Sequence, residues 1–562
     1  MPALPMLLAA ADHGFTVLFV LLAFLAASVW LGALAQRAMD QKKFLEGFFL
    51  GNRGLGAWTL ALTATVQSGG TFMGYPALVY SYGWAGLLWI AAYMVVPLTG
   101  FAIIGKRLAQ ISRRTNSITV PDMFRQRFGS PTVGLCASLL IVFFLSFTMF
   151  AQFKAGATVM KLAWPGNGFF SFAEDAAVTI DYKYYIGLGV FAVTVVGYTM
   201  IGGFLATVWT DLFQSVLMVF GVMALLCLAL PAAGGLEAAT RTAMSHTGPE
   251  YAFGPGFDRT GREFLTSGLA MSMFVLWTYS GVSSPASMIR VMAASNTEVM
   301  RKSIALLSGY NCLIYIPLAM IAVCGRALYP GLEKKPDEII PTLAMQLTEG
   351  LPGGSLLTSL ILAAPFGAIM ASVSCFVLVI ASALVQDLYL RFIHPHANAG
   401  EIRRATNVAM VVVGLAGVLA VVRPPTYLQA LVMFSGSAGA AAFLTPVLMT
   451  CYWRRATAAG ALSAMLVGIA VYLSLYATGW IHNWAIAVGP GASGLADGVL
   501  GWLGPDPMIG LASAFRPYFL FGLDPILYGI AASAITGVTV SLLTKPLPEE
   551  HLQRVFDGTT TK

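Results

Sequence analysis

The chain has 562 residues, of which 57% are hydrophobic and only 10% charged, with a net charge of +7 at neutral pH. A soluble domain carries about 25% charged residues, so this composition excludes a soluble fold and makes the bilayer the solvent for most of the chain. The positive excess sits in short loops between apolar runs, where membrane topology uses it, which argues against nucleic-acid binding.

Apolar runs follow one another at roughly 14–35, 57–80, 84–105, 131–162, 184–203, 205–231, 264–290, 303–328, 354–388, 405–422, 427–452, 457–478 and 525–544. At ~20 residues per crossing they predict an all-α polytopic membrane protein of about 13 transmembrane helices. The first run lacks the basic start and cleavage pattern of a secretory signal and is expected to stay as a span. The stretches 232–262 and 479–524 are Gly-rich connectors, the second with room for a short interfacial helix. The segment 545–562 is short, mixed in charge and expected to be disordered. None of these is large enough to be a catalytic domain. Cys136, Cys227, Cys312, Cys324, Cys375 and Cys451 include no CxxC pair, and the histidines are scattered, so no metal or disulfide framework is expected.

Alternate loops are strongly basic: Arg37, Lys42, Lys43 and Arg53; then Lys106, Arg107, Arg113, Arg114, Arg125 and Arg127; later Arg301 and Lys302, Arg391, Arg403 and Arg404, Arg454 and Arg455. The opposite loops carry Glu174, Asp175 and Asp181, or Glu333, Asp337 and Glu338. Placing the basic side in the cytoplasm puts the N-terminus outside and the C-terminus inside, as an odd number of spans requires.

Two spans read badly as continuous helices. One is Ala64-Thr65-Val66-Gln67-Ser68-Gly69-Gly70-Thr71-Phe72-Met73-Gly74-Tyr75-Pro76, the other Trp277-Thr278-Tyr279-Ser280-Gly281-Val282-Ser283-Ser284-Pro285. Glycines, hydroxyls and a proline disfavour helix there. Irregular backbone at membrane depth persists only where it is buried or lines a cavity. If the first run is peripheral, the breaks fall in the second and seventh spans, five apart and therefore in opposite orientations. Breaks at matching places in inverted halves point to a transport site, whose free carbonyls suit a cation and whose free N–H groups suit an anion. In a third segment, Ala363–Cys375, Ser372 and Ser374 are candidate oxygen donors to a hard cation, unless they bond back to their own helix.

At these residues the chain resembles the sodium:solute symporter family. The marks are Phe49-Leu50-Gly51-Asn52-Arg53, the run from Gly202-Gly203 through Trp209-Thr210-Asp211-Leu212-Phe213-Gln214, Gly367-Ala368-Ile369-Met370, and Ser382-Ala383-Leu384-Val385-Gln386-Asp387-Leu388-Tyr389. Leu362-Ala363-Ala364-Pro365, Arg423-Pro424-Pro425 and Tyr452-Trp453-Arg454-Arg455-Ala456 are most similar to the pantothenate-permease and monocarboxylate-carrying branch. The resemblance implies a five-plus-five inverted repeat with broken helices, one leading and two trailing helices. On this chain that divides 1–56, 57–231, 232–452, 453–545 and a cytoplasmic tail 546–562.

By position, the resemblance places sodium on the carbonyls of Ala64, Gln67 and Ala368 and on the hydroxyl of Ser372. This chain departs at Ala371, where the family has a second hydroxyl. The solute cavity is expected between Gln67, Ser68, Gly69, Gly70 and Thr71, Trp89 and Tyr93, and Thr278, Ser280 and Ser284. Asp211 is read either as a helix-start cap or as a cation stop on the path inward, and Arg290 as a gate brace or an anchor. Lys154 reads as snorkelling to the interface. The expected activity is sodium-coupled uptake of a small organic solute across the cell (inner) membrane, by alternating access. The cavity residues include no acid, which favours a carboxylate such as pantothenate or a monocarboxylate. Sodium is co-transported cargo in this reading, with no fixed cofactor and no catalytic residues. Proton coupling on the same fold is the alternative that Ala371 motivates; a solute sensor or membrane enzyme is more remote.

Overall fold

The computed structural model describes residues 15–38, 44–64, 68–164, 182–255, 264–423, 428–489, 491, 494–503, 509–510 and 516–557. In chain order these form α1 (Phe15–Ala38), α2 (Phe44–Leu50), α3 (Ala57–Ala64) and α4 (Tyr75–Tyr82). Next, α5 (Trp84–Ala91) runs through tighter and wider turns into α6 (Lys106–Arg114), followed by α7 (Val120–Phe128) and α8 (Pro131–Ala163). The middle of the chain holds α9 (Tyr182–Ala232), α10 (Leu236–Thr247), α11 (Ser267–Ser283), α12 (Pro285–Met292), α13 (Thr297–Leu328) and α14 (Ile339–Thr348). The last part holds α15 (Gly354–Ser382), α16 (Ala399–Ala420), α17 (Leu428–Tyr452), α18 (Ala458–Val488), α19 (Gly494–Leu503), α20 (Pro525–Leu543) and α21 (Glu549–Phe556). No strand occurs among the described residues.

Ten helical segments among the described residues are long and apolar enough to cross a bilayer. One of them, α9, has 51 residues. A helix that long measures ~77 Å against a hydrocarbon core of ~30 Å, so it makes two crossings. The division falls at Gly203, whose φ of 54° and ψ of −141° break the helix. A Cβ there would stand 2.7 Å from the carbonyl oxygen of Phe48, so the turn needs glycine. Counting α9 twice and adding the two interrupted segments, 57–82 and 267–292, gives the thirteen crossings read from hydropathy.

Where helices start, polar caps satisfy the first N–H groups. Thr119, Thr266, Asn296, Thr457 and Asp524 each accept from a backbone N–H, and Asn398 with Glu401 forms a reciprocal capping box. The centre of the bundle is α15, 94% of whose most apolar window is buried inside the protein. It packs against α9, α8 and α1. A helix wrapped on all sides needs no polar face, which is why 354–382 is apolar without amphipathic period.

The connector 479–524 holds the ten-residue α19, with Leu495 and Trp502 exposed, the short apolar-faced helix for which the sequence left room. Two features differ from the sequence reading. The tail is structured through Asp557: α21 docks with Leu552 and Val555 buried, the Arg127 guanidinium lies 4.9 Å from the Phe556 ring, and Arg454 pairs with Glu549 at 2.8 Å. Burial pushes the Arg127 pKa down to about 10. Lys154 does not snorkel; it pairs with Asp337 at 3.3 Å, across 183 residues of sequence. Burial raises the Asp337 carboxyl, and Lys154 only partly offsets it.

Candidate functional site

In the first interrupted span α3 is described up to Ala64, Ser68 is outside any helix, and helix resumes at Gly69. Gln67, together with Thr65 and Val66, lies outside the described residues. In an unbroken helix the N–H of Ser68 would close on the Ala64 carbonyl. Ser68 N–H donates to Thr71 Oγ1 at 3.4 Å, three residues ahead of it. The resumed helix caps itself: Gly70 N–H donates to Ser68 Oγ at 3.1 Å, and Thr71 and Phe72 N–H donate to the Ser68 carbonyl. Gly69 N–H donates to Gln152 Oε1 on α8 at 2.6 Å. The N–H groups of Gly69, Gly70 and Thr71 thus all have protein partners in this conformation.

The second break is sharper. α11 ends at Ser283, Ser284 takes an extended φ/ψ of −70°/122°, and α12 begins with Pro285 at its first position, where a missing N–H does no harm. Between the two breaks lies a cavity of about 130 Å³. Ser68, Gly70, Thr71, Tyr93, Ser280 and Ser284 line it, six of the expected solute residues. Gly69 stands behind it on Gln152. Trp89 and Thr278 lie off it. Trp89 is buried against Phe264, ring centroids 4.8 Å apart, and the Thr278 carbonyl accepts from Thr99 Oγ1 at 3.1 Å.

Other lining residues are ones the sequence reading did not place at the cavity: Phe144 and Thr148 of α8, Tyr315 of α13, Phe376 of α15, and Gln429 and Ser435 of α17. Trp277 joins them from α11. Buried within this wall, Trp277 Nε1 and Gln429 Oε1 have no hydrogen-bond partner among the described residues. A lone glutamine in the apolar run 427–452 was the one available sequence signal for α17. Among the described residues no Asp, Glu, Lys, Arg or His lines the cavity.

One end of the cavity is covered by aromatic rings. Tyr315 OH lies 3.3 Å from Thr71 Oγ1, and the Tyr93 ring sits 5.5 Å from Tyr315 and 5.9 Å from Trp277. Beyond them Phe264 stacks between Trp89 and Tyr82, the latter at 3.9 Å. The Lys154–Asp337 pair and the 2.6 Å Arg326–Glu333 pair belong to the same side. At the other end the cavity continues past Ser287 and Phe443, toward the basic loops.

The expected cation ligands on α15 are buried. Ser372 Oγ donates to the Ala368 carbonyl at 3.0 Å, and Ser374 Oγ donates to the Ala371 carbonyl at the same distance. Ile369, one residue from Ala368, is within 3.3 Å of where a Cβ on Gly69 would be, so this turn of α15 packs against the first break. Asp211 is not a helix-start cap: the turn lies eight residues earlier, at Gly203, and Asp211 Oδ2 accepts from Arg290 Nη2 at 2.6 Å. Both residues are almost fully buried, and Arg290 Nη1 also donates to the Thr63 carbonyl.

Two broken helices facing a small cavity in a bundle of membrane-spanning helices are the arrangement of a transporter. Residues 48–468 match the sodium:solute symporter family, and the chain belongs to that family. It is 30% identical over 443 residues to the sodium/pantothenate symporter of Haemophilus influenzae, covering 77% of this chain and 84% of the relative. To the sodium/pantothenate symporter of Escherichia coli it is 30% identical over 463 residues, 82% and 90% of the two chains. To the Escherichia coli sodium/proline symporter it is 24% identical over 500 residues, 87% and 93%. A solved sodium-coupled sialic acid symporter, in a substrate-bound outward-open state, has the same fold at a TM-score of 0.69 and 18% identity, over 95% of this chain and 99% of that one.

Proposed function

We propose that this protein couples sodium entry to the uptake of a small organic carboxylate, by alternating access of the cavity between the two breaks. The observation that carries the reading is the cavity itself: about 130 Å³, set between the two interrupted helices, with no Asp, Glu, Lys, Arg or His among its described lining residues. A cationic solute would meet no counter-charge there and would repel a co-bound sodium. A carboxylate would be neutralised by that sodium at low dielectric, where such pairing is strong. With the Gly69–Thr71 N–H groups engaged, its donors are the Trp277 indole N–H and the hydroxyls of Ser280, Ser284 and Thr148. The sodium ligands in this reading are the Ala64, Gln67 and Ala368 carbonyls and Ser372. The similarity to sodium/pantothenate symporters supports the carboxylate class.

The same reading takes 57–231 and 232–452 as the inverted repeats, with 1–56 leading, 453–545 trailing and 546–562 a cytoplasmic tail. It sets the N-terminus outside and the basic loops inside the cell membrane. The cavity then opens toward the cytoplasm while the aromatic cover and the Lys154–Asp337 pair close the outer side. Asp211, paired with Arg290 below the site, serves the inner gate.

The reading is tested by thermal shift of purified protein against pantothenate and short monocarboxylates, in sodium and in potassium at fixed ionic strength. A ligand that binds only the folded state raises the melting temperature by mass action. Stabilisation by a carboxylate in sodium alone is expected. Stabilisation by neutral or cationic solutes instead would reject the substrate class. One observation favours proton coupling as a second reading: Ala371 offers no hydroxyl, so the cation site has one oxygen fewer. Uptake that ignores sodium and collapses with the pH gradient would establish it. Ser372→Ala, which removes the remaining hydroxyl, is expected to raise the sodium concentration for half-maximal uptake by roughly ten-fold, as for loss of a charge-assisted contact. An unchanged sodium dependence would remove Ser372 from the site.

A further inference from the structure

A charged side chain inside a membrane bundle is costly, and where one is kept it marks a substrate or ion path by default. Lys154 is such a residue. It lies on α8, within the span and six residues beyond Thr148, which lines the cavity. At about 1.5 Å of rise per residue it stands ~9 Å farther along the same wall, toward the covered end. Its Nζ is 3.3 Å from Asp337 Oδ2, and each of the two side chains is 12% exposed.

The segment that supplies Asp337 is fastened to the first interrupted span. Tyr80 of α4 donates its hydroxyl to the Tyr329 carbonyl at 2.8 Å and accepts from the Leu332 N–H at 3.0 Å. The turn Pro336–Glu338 packs against α4 and against the Gly70–Gly74 turn of the first break. Lys154 belongs to α8, which is continuous. The pair therefore crosses the boundary between a broken helix and an unbroken one. Movement of α4 that uncovers this end of the cavity draws Asp337 away from Lys154. An ammonium parted from its carboxylate in a largely buried place is strongly disfavoured. A second carboxylate arriving there removes that penalty, and Asp337 itself shows that the place accepts one. Among the described residues no cation lines the cavity, so Lys154 is a counter-charge met before the cavity is reached.

We propose that Lys154 is a binding residue for the incoming solute carboxylate. The solute takes the place of Asp337 when the covered end opens, and moves on to the cavity as Asp337 returns. The proposal rests on the carboxylate reading above.

The test is sodium-driven uptake of radiolabelled pantothenate and pyruvate into proteoliposomes. If the pair serves only as a latch, Asp337→Asn and Lys154→Gln break the same contact and act alike. If Lys154 receives the solute, they act in opposite directions. Lys154→Gln is expected to raise the half-saturating carboxylate concentration by roughly ten-fold, as for loss of a charge-assisted hydrogen bond. Asp337→Asn removes the internal competitor and should lower it by roughly three-fold, because more of the protein is competent to bind. The double substitution strands no charge, so it keeps the test open if a single variant fails to fold. It should match Lys154→Gln. Single substitutions that shift the concentration in the same direction, or a double variant that saturates like the unaltered protein, overturn the proposal and leave the carboxylate reading standing. Unaltered protein that takes up neither probe overturns the reading itself.

Discussion

Arg290→Met is expected to cost about 3–5 kcal/mol of stability, the penalty for stranding one partner of a buried ion pair. Asp211 and Arg290 are 2% and 1% exposed, so water cannot replace the lost guanidinium. Asp211 Oδ1 already has no partner, and the substitution would strand Oδ2 as well. The Thr63 carbonyl would lose its donor in the same step. The expected result is a sharp fall in both melting temperature and yield from membranes. Adding Asp211→Asn should recover most of the loss, since a neutral amide in the same space costs far less to bury than a carboxylate. The comparison of single and double substitutions isolates the charge. If Arg290→Met melts with the unaltered protein, the pair carries no stability and its place beneath the cavity needs another explanation.

Gly83→Ala is expected to be the most damaging single-methyl change. Gly83 joins α4 to α5 with φ 68° and ψ −146°, a conformation that side-chain-bearing residues almost never adopt. A Cβ there would stand 1.9 Å from the Tyr251 carbonyl oxygen and 2.7 Å from its carbon. Both are backbone atoms, so no rotamer change relieves the overlap. Tyr251 in turn donates its hydroxyl to the Val79 carbonyl at 3.0 Å, locking the 249–252 turn onto α4. Backbone strain alone costs about 1–3 kcal/mol, and the overlap adds to it. Displacing this corner would also disturb Tyr82 and Trp89, which sandwich Phe264 over the cavity. Melting of the purified variant should drop accordingly. Gly309→Ala is the control: nothing lies within 4 Å of its Cβ position, and it sits inside α13, so alanine should be neutral or slightly stabilising. Equal melting of the two variants would mean that the α4–α5 corner is free to relax.

The number of crossings and the two breaks were legible because both follow from local rules. Lipid cannot hydrogen-bond a backbone, so every crossing must be a helix of apolar residues. The exceptions must show themselves as glycine, hydroxyl and proline clusters, as 64–76 and 277–285 do. Ser68, Gly70, Thr71, Tyr93, Ser280 and Ser284 face the cavity because they sit at those breaks or one helix away. The family marks also survived, since Gly203 is required by a backbone approach that no other residue permits.

What the sequence could not determine is which interior groups meet. Hydropathy separates lipid-facing from buried positions, but a buried polar group's partner depends on how distant helices cross. Gln152 reaches Gly69 across 83 residues, Arg290 reaches Asp211 across 79, and Lys154 reaches Asp337 across 183. Each pairing changed a reading: free N–H groups became occupied ones, a helix cap became an ion pair, and a snorkelling lysine became a tie to the 336–338 turn. Trp89 and Thr278 turned aside for the same reason, held by Phe264 and Thr99. The tail 545–562 carries no apolar run of its own, and α21 is ordered only because Arg127 and Arg454 wait for it on the basic face. Sequence alone thus determined the solvent, the spans and where the helices break. Packing decided the partners, because within a low-dielectric interior each polar group must find whichever donor or acceptor the crossing helices bring to it.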